Sequence, residues 1–140
     1  MIFSDTGALF ALLVDDDQFH AEARGAENAI RNSHEELWTI DPMVTELWSM
    51  LFRRYGVSRA DGSVKSLLAR GLRCERVDPQ DYERAWEFGE QWPDQPFSLA
   101  DRQAFAAIER TRRYRAWSYD HHFAVVRLGP RRAIPIELVR

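Results

Sequence analysis

Leu37-Trp38-Thr39-Ile40-Asp41-Pro42-Met43-Val44-Thr45-Glu46-Leu47-Trp48-Ser49-Met50-Leu51 holds a whole strand-to-helix unit. Leu37 to Ile40 is apolar, rich in aromatic and β-branched residues, and too short for a helix, so it reads as a strand. Asp41-Pro42 supplies an N-cap and a proline at the first helical position, where the missing N–H costs nothing. Met43, Leu47, Met50 and Leu51 then recur at spacings of three and four, the inward stripe of a helix that runs to about Tyr55 and stops at Gly56. The same grammar returns at Cys74 to Val77, a strand, followed by Asp78-Pro79 and a helix to about Gln91.

Outward from this unit the alternation continues. Met1 to Ser4 reads as a strand ending at Asp5, and Thr6 to Val14 as a short helix before the polar break Asp15-Asp16-Asp17. Helices are expected from Gln18 to about Arg31, from Ser58 to Arg70 before Gly71, and from Ser98 to about Arg113. Ala116 to Tyr119 and Ala133 to Leu138 are the last two strands. Strands alternating with helices imply an α/β domain with a mainly parallel central sheet, whose sites lie at the carboxyl ends of the strands.

The 140 residues fit a single domain, 1–140, that buries a working core without disulfides. Cys74 is the only cysteine, so a zinc cluster and an internal disulfide are excluded, and a reducing, cytoplasmic setting is expected. The apolar stretch Gly7 to Val14 is too short for a membrane span, and Asp5 stands where a signal peptide is basic. The net charge of −3 is unevenly spread: residues 98–140 carry nine basic and four acidic groups, the rest ten and eighteen. Lys65 is the only lysine, so the basic share is arginine, whose planar fork suits phosphate.

Four carboxylates stand out by position. Asp5 and Asp120 each end a strand and belong on one edge of the sheet. Glu46 borders the inward stripe of its helix, and Asp101 sits in the first turn of the helix from Ser98. Each also has an ordinary structural reading: Ser98-x-x-Asp101 is close to a capping box, Asp5 and Asp120 are strand-end turn residues, and Glu46 can reach solvent. Together they differ, because carboxylates about 4 Å apart repel by roughly 4 kcal/mol at an effective dielectric near 20. Such a cluster requires a cation or raised pKa values. Oxygen ligands without His or Cys suit Mg²⁺ or Mn²⁺, ions that assist phosphodiester cleavage.

Phe3-Ser4-Asp5-Thr6, Val44-Thr45-Glu46-Leu47, Ser98-Leu99-Ala100-Asp101 and Trp117-Ser118-Tyr119-Asp120-His121-His122-Phe123, in this order, resemble the PIN-domain family, and the length and layout resemble its VapC-type toxins. The resemblance implies a three-layer α/β/α sandwich around a five-stranded parallel sheet, and Mg²⁺- or Mn²⁺-dependent endoribonuclease activity on an RNA substrate. It places Asp5, Glu46, Asp101 and Asp120 at the family's acidic positions. Asp5, Asp101 and Glu46 would hold the principal ion, with Asp120 completing the cluster or joining a second ion when RNA binds. Thr6 and Ser98 would orient ligands or water. A VapB-like antitoxin and a second copy of the chain are the implied partners. Gly7 departs from the family, which commonly carries Ser or Asn there.

Arg102, Arg110, Arg112, Arg113 and Arg115 are the candidates for RNA-backbone contact; a solvated helix end is their other reading. His121 and His122 read as loop histidines open to a proton-transfer role, and Trp48, Phe52, Trp86, Phe88 and Trp92 mostly as core. Two aspartate phosphotransfer folds are excluded. Haloacid-dehalogenase-like phosphatases need a second Asp where Gly7 stands, and receiver domains need a lysine later than Lys65. The alternative from another class is a PIN fold that binds RNA or a partner without cutting.

Overall fold

The computed structural model describes residues 1–140. Its elements run β1 (Ile2–Ser4), α1 (Thr6–Leu13), α2 (His20–Asn32), β2 (Leu37–Ile40), α3 (Asp41–Tyr55), α4 (Val57–Ala69), β3 (Arg73–Glu75), α5 (Pro79–Gln91), α6 (Leu99–Thr111), β4 (Arg115–Trp117), α7 (His122–Val125), β5 (Arg127–Leu128), β6 (Ile134–Pro135) and β7 (Glu137–Val139). Five strands form one sheet in the order β3-β2-β1-β4-β7, every neighbouring pair parallel. β5 and β6 form a separate antiparallel pair.

Parallel strands buried on both faces read as continuous apolar runs, with neighbouring residues serving opposite faces. Ile2 belongs to a core shared with α1 to α4, whereas Phe3 belongs to one shared with α5 and α6. Trp117 and Ala116 divide the same way. The sheet is thus the middle of three layers. Phe3, Trp38, Phe105 and Phe123 pack edge-on or stacked at 5.0 to 6.1 Å on the α5–α6 side.

The expected α/β alternation and parallel five-stranded sheet are present. Several boundaries move. Asp41 is the first residue of α3 rather than its cap, and its carboxylate instead accepts the Val77 N–H at 2.9 Å, tying α3 to the loop after β3. The expected strand Ala133 to Leu138 is split. Ile134–Pro135 turns back onto β5 through Gly129 (φ +84°), while Glu137–Val139 joins β4 in the main sheet. Pro135 has no N–H for a ladder, so it cannot sit in the middle of a paired strand. β4 ends at Trp117, two residues before the expected Tyr119, and the one-turn helix α7 occupies a stretch to which the sequence assigns no element. β1 pairs with β4 in a register that sets Ser4 beside Trp117, so the chain leaves both strands at one edge, carrying Asp5 and Asp120 with it.

Candidate active site

Asp5 follows β1 and stands at the N-terminus of α1, but its side chain caps nothing there. It turns inward instead, 5% exposed, and accepts a hydrogen bond from the Ser118 hydroxyl at 2.8 Å. Burial pushes its carboxyl up to about 7; Asp101, Asp120 and Glu46 push the same way, against the Ser118 hydrogen bond. Ser118 is fully buried and also accepts the Asp120 N–H at 3.0 Å, so one hydroxyl joins the segments carrying Asp5 and Asp120.

Asp101 does both things its position allows. Ser98 Oγ accepts the Asp101 N–H at 3.0 Å, and Asp101 Oδ2 accepts the Ser98 N–H at 3.1 Å, a reciprocal capping box at the start of α6. The same carboxylate is buried, faces the cavity, and is raised above the ordinary carboxylate range, chiefly by that burial. Glu46, in the second turn of α3, is exposed to the cavity and accepts from the Thr6 hydroxyl at 3.3 Å, a bond Thr6 shares with Met43.

All four carboxylates line one cavity of about 530 Å³ at the carboxyl edge of the sheet. Thr6 and Ser98 line it too, as do Gly7 and Asp17. Asp17 belongs to the acidic run read as a solvated turn; its carboxylate accepts the Phe19 N–H at 2.8 Å and starts the lead into α2. Phe19 stacks flat on Tyr119 at 4.6 Å, making one apolar wall. A β-carbon built on Gly7 would lie 3.6 Å from Asp5 Oδ2, an ordinary contact, so a side chain there would stand over that carboxylate.

Sequence reasoning missed Ser118, whose only signal is its place two residues before Asp120. It also undervalued His122, which is 13% exposed at the side chain and folds back against Asp101 and Asp120. His121 stays on the surface, 76% exposed.

The arginines expected to grip RNA stand elsewhere. Arg110 makes a two-pronged pair with buried Asp81 (2.9 and 3.0 Å), Arg113 binds Glu75 at 2.8 Å, and Arg115 binds Glu35 and Glu137. α6 runs away from the cavity, so Arg110 lies about 13 Å beyond Asp101 along the helix axis, at 1.5 Å per residue. Arg115 opens β4, at the end of the sheet opposite the cavity. Arg112 ends α6 in a left-handed conformation (φ +56°). Arg102 starts near the site but donates from Nε to the Phe97 carbonyl at 3.1 Å, with its guanidinium laid over Gly89. No arginine lines the acidic cavity. Of the aromatics, Phe88 is core, whereas Phe52 and Trp86 are exposed.

A three-layer α/β/α domain with an acid-lined cleft at the carboxyl edge of a parallel sheet has the layout of a nuclease domain. The family model for the PIN domain matches residues 2–128, and the chain belongs to the PIN-domain family. Among characterised proteins it is similar to the 23S rRNA-specific endonuclease VapC20 of Mycobacterium tuberculosis, from strains CDC 1551 / Oshkosh and ATCC 25618 / H37Rv. Each is 26% identical over 117 residues, covering 78% of this chain and 89% of the relative. The crystal structure of Mycobacterium tuberculosis VapC20, a Sarcin-Ricin loop cleaving toxin, superposes with a TM-score of 0.75 at 25% identity, over 86% of this chain and 91% of that one.

Proposed function

We propose that this chain is a divalent-metal-dependent endoribonuclease, the toxin of a type II toxin–antitoxin pair, with Asp5, Glu46, Asp101 and Asp120 as the groups that hold its metal. One observation carries the reading. Asp5 is almost wholly buried, faces three other carboxylates across one cavity, and is left with a carboxyl near 7. A protein gains nothing in stability from such a cluster, and a cation is the simplest group that makes it tolerable. The donor set fits Mg²⁺ or Mn²⁺, which take oxygen ligands from a few carboxylates and leave other positions for substrate. The relatives named for rRNA cleavage supply the substrate class.

When bound, the ion supplies Lewis acidity and charge neutralisation at the scissile phosphate. The chain's own residues hold the geometry. Ser118 fixes Asp5 against the turn that carries Asp120. The capping box fixes Asp101. Thr6 restrains Glu46 by its hydroxyl. No arginine lines the cavity, so this chain's own contribution there is the four carboxylates and the groups that orient them, and any arginine contact to RNA lies outside the cleft. A VapB-like antitoxin is the proposed partner, received on the face of α3 where half-buried Trp48 and exposed Phe52 stack at 5.2 Å. A homodimer is the proposed assembly.

The test is cleavage of a mixed RNA pool by the purified protein with Mn²⁺ or Mg²⁺. Expected are cleavage, its loss with EDTA, and its loss in Asp5→Asn with the fold retained. RNA binding without cleavage in either metal would make the chain a binding module, and cleavage by Asp5→Asn would remove Asp5 from the site.

A further inference from the structure

His122 is held in an unusual position. Its backbone N–H donates to Asp120 Oδ1 at 2.9 Å, which turns the ring back over the carboxylates. Nδ1 then lies 3.2 Å from Asp120 Oδ1 and 3.7 Å from Asp101 Oδ2. Phe97 meets the ring edge-on at 5.2 Å and keeps it there. Both ring nitrogens are buried, and neither makes a hydrogen bond. Buried polar atoms are rarely left so, and each such case calls for a partner.

The distances say which partner. Nδ1 is within contact range of Asp120 Oδ1, yet the ring is not aligned to donate to it. Two donors at right angles around one octahedral ion, each about 2.1 Å from it, stand about 3 Å apart without bonding to each other. The donor atoms of Asp120, His121 and His122 all lie within 4.8 Å of one another, but His121 is open to water, its ring resting on that of His122 at 4.3 Å.

We propose that His122 is a nitrogen donor to the ion held by Asp101 and Asp120, and that it biases this site toward Mn²⁺ over Mg²⁺. The inference rests on the carboxylate cluster being a metal site. Its selectivity follows from donor softness: Mg²⁺ favours oxygen, whereas imidazole nitrogen suits transition ions. A neutral imidazole also adds a ligand without adding negative charge to a cavity that already has an excess.

The deciding experiment is pulsed electron paramagnetic resonance on the whole protein loaded with Mn²⁺, read for nitrogen-14 modulation, alongside titrations of Mn²⁺ and Mg²⁺. The wild type should show imidazole modulation. His121→Gln should keep it, and His122→Phe and His122→Gln should lose it. Mn²⁺ affinity should fall about tenfold in the His122 variants, with Mg²⁺ affinity little changed. Bound Mn²⁺ without nitrogen modulation in the wild type overturns the role of His122 and leaves the carboxylate site standing. Modulation lost in His121→Gln assigns the nitrogen to the wrong ring and also overturns it. No Mn²⁺ binding at all removes both the inference and the site beneath it.

Discussion

Asp5 is the residue on which pH should act most visibly. Its carboxyl is raised from 3.8 in the unfolded chain to about 7 in the fold. Between those values the native state holds a proton that the unfolded state has released, so stability falls as pH rises from about 4 to 7. The span corresponds to about 4 kcal/mol as an upper bound, at 1.36 kcal/mol per pH unit. Metal-free protein should therefore melt at progressively lower temperature from pH 5 to 8, while Asp5→Asn shows a shallower slope and melts higher at pH 8. Parallel slopes for the two proteins would show that Asp5 does not carry the strain. Ser118→Ala removes both the donor to Asp5 and the acceptor for the Asp120 N–H, and should cost about 1–3 kcal/mol in denaturant unfolding as well as cleavage. Gly7→Ser should fold normally, because the added β-carbon meets only Asp5 Oδ2 at 3.6 Å, and its hydroxyl should lower the Asp5 carboxyl toward its ordinary range.

At the level of elements, α6 joins two functions that its sequence presents as one. Its first turn presents Asp101 to the cavity, and its last turn anchors α5 through Arg110 and Asp81. Arg110→Ala should leave buried Asp81 without its counter-charge and cost about 1–3 kcal/mol in stability. The salt dependence of RNA binding, measured in the Asp5→Asn background, should not change; a shallower slope would return Arg110 to the RNA interface. The strand-helix alternation was legible because each unit carries its own period and its own punctuation, Asp41-Pro42 or Asp78-Pro79. Asp5 and Asp101 were legible for the same local reason, a strand end and a helix start. The ion pairs of the arginines were not legible because their partners are remote: Glu35 lies 80 positions before Arg115, and Asp81 lies 29 before Arg110. Nor does any local pattern reveal that Ser118 bonds to Asp5 across 113 positions. The split of the last strand turned on Pro135, which a run of apolar residues conceals.

Across the whole molecule, the parallel register of β1 with β4 is what makes a cleft out of residues from both ends of the chain. Asp5 sits on a short strand-to-helix connection, Asp101 in the first turn of α6, Glu46 in the second turn of α3 and Asp120 on the turn between β4 and α7, so regular elements position the cleft before any ligand arrives. Binding an ion to such a preformed site stabilises the native state by RT ln(1 + [L]/Kd), about 2.7 kcal/mol at a hundredfold excess over Kd. Mn²⁺ should thus raise the melting temperature of the wild type, and most steeply above pH 7, where Asp5 is otherwise strained. The most direct measurement is anomalous X-ray scattering at the manganese edge from crystals soaked in Mn²⁺. The account predicts a peak bounded by the carboxylates of Asp5, Glu46, Asp101 and Asp120, lost in crystals of Asp5→Asn. Saturating Mn²⁺ with no peak in this cleft, in a protein that still cleaves RNA, would contradict it.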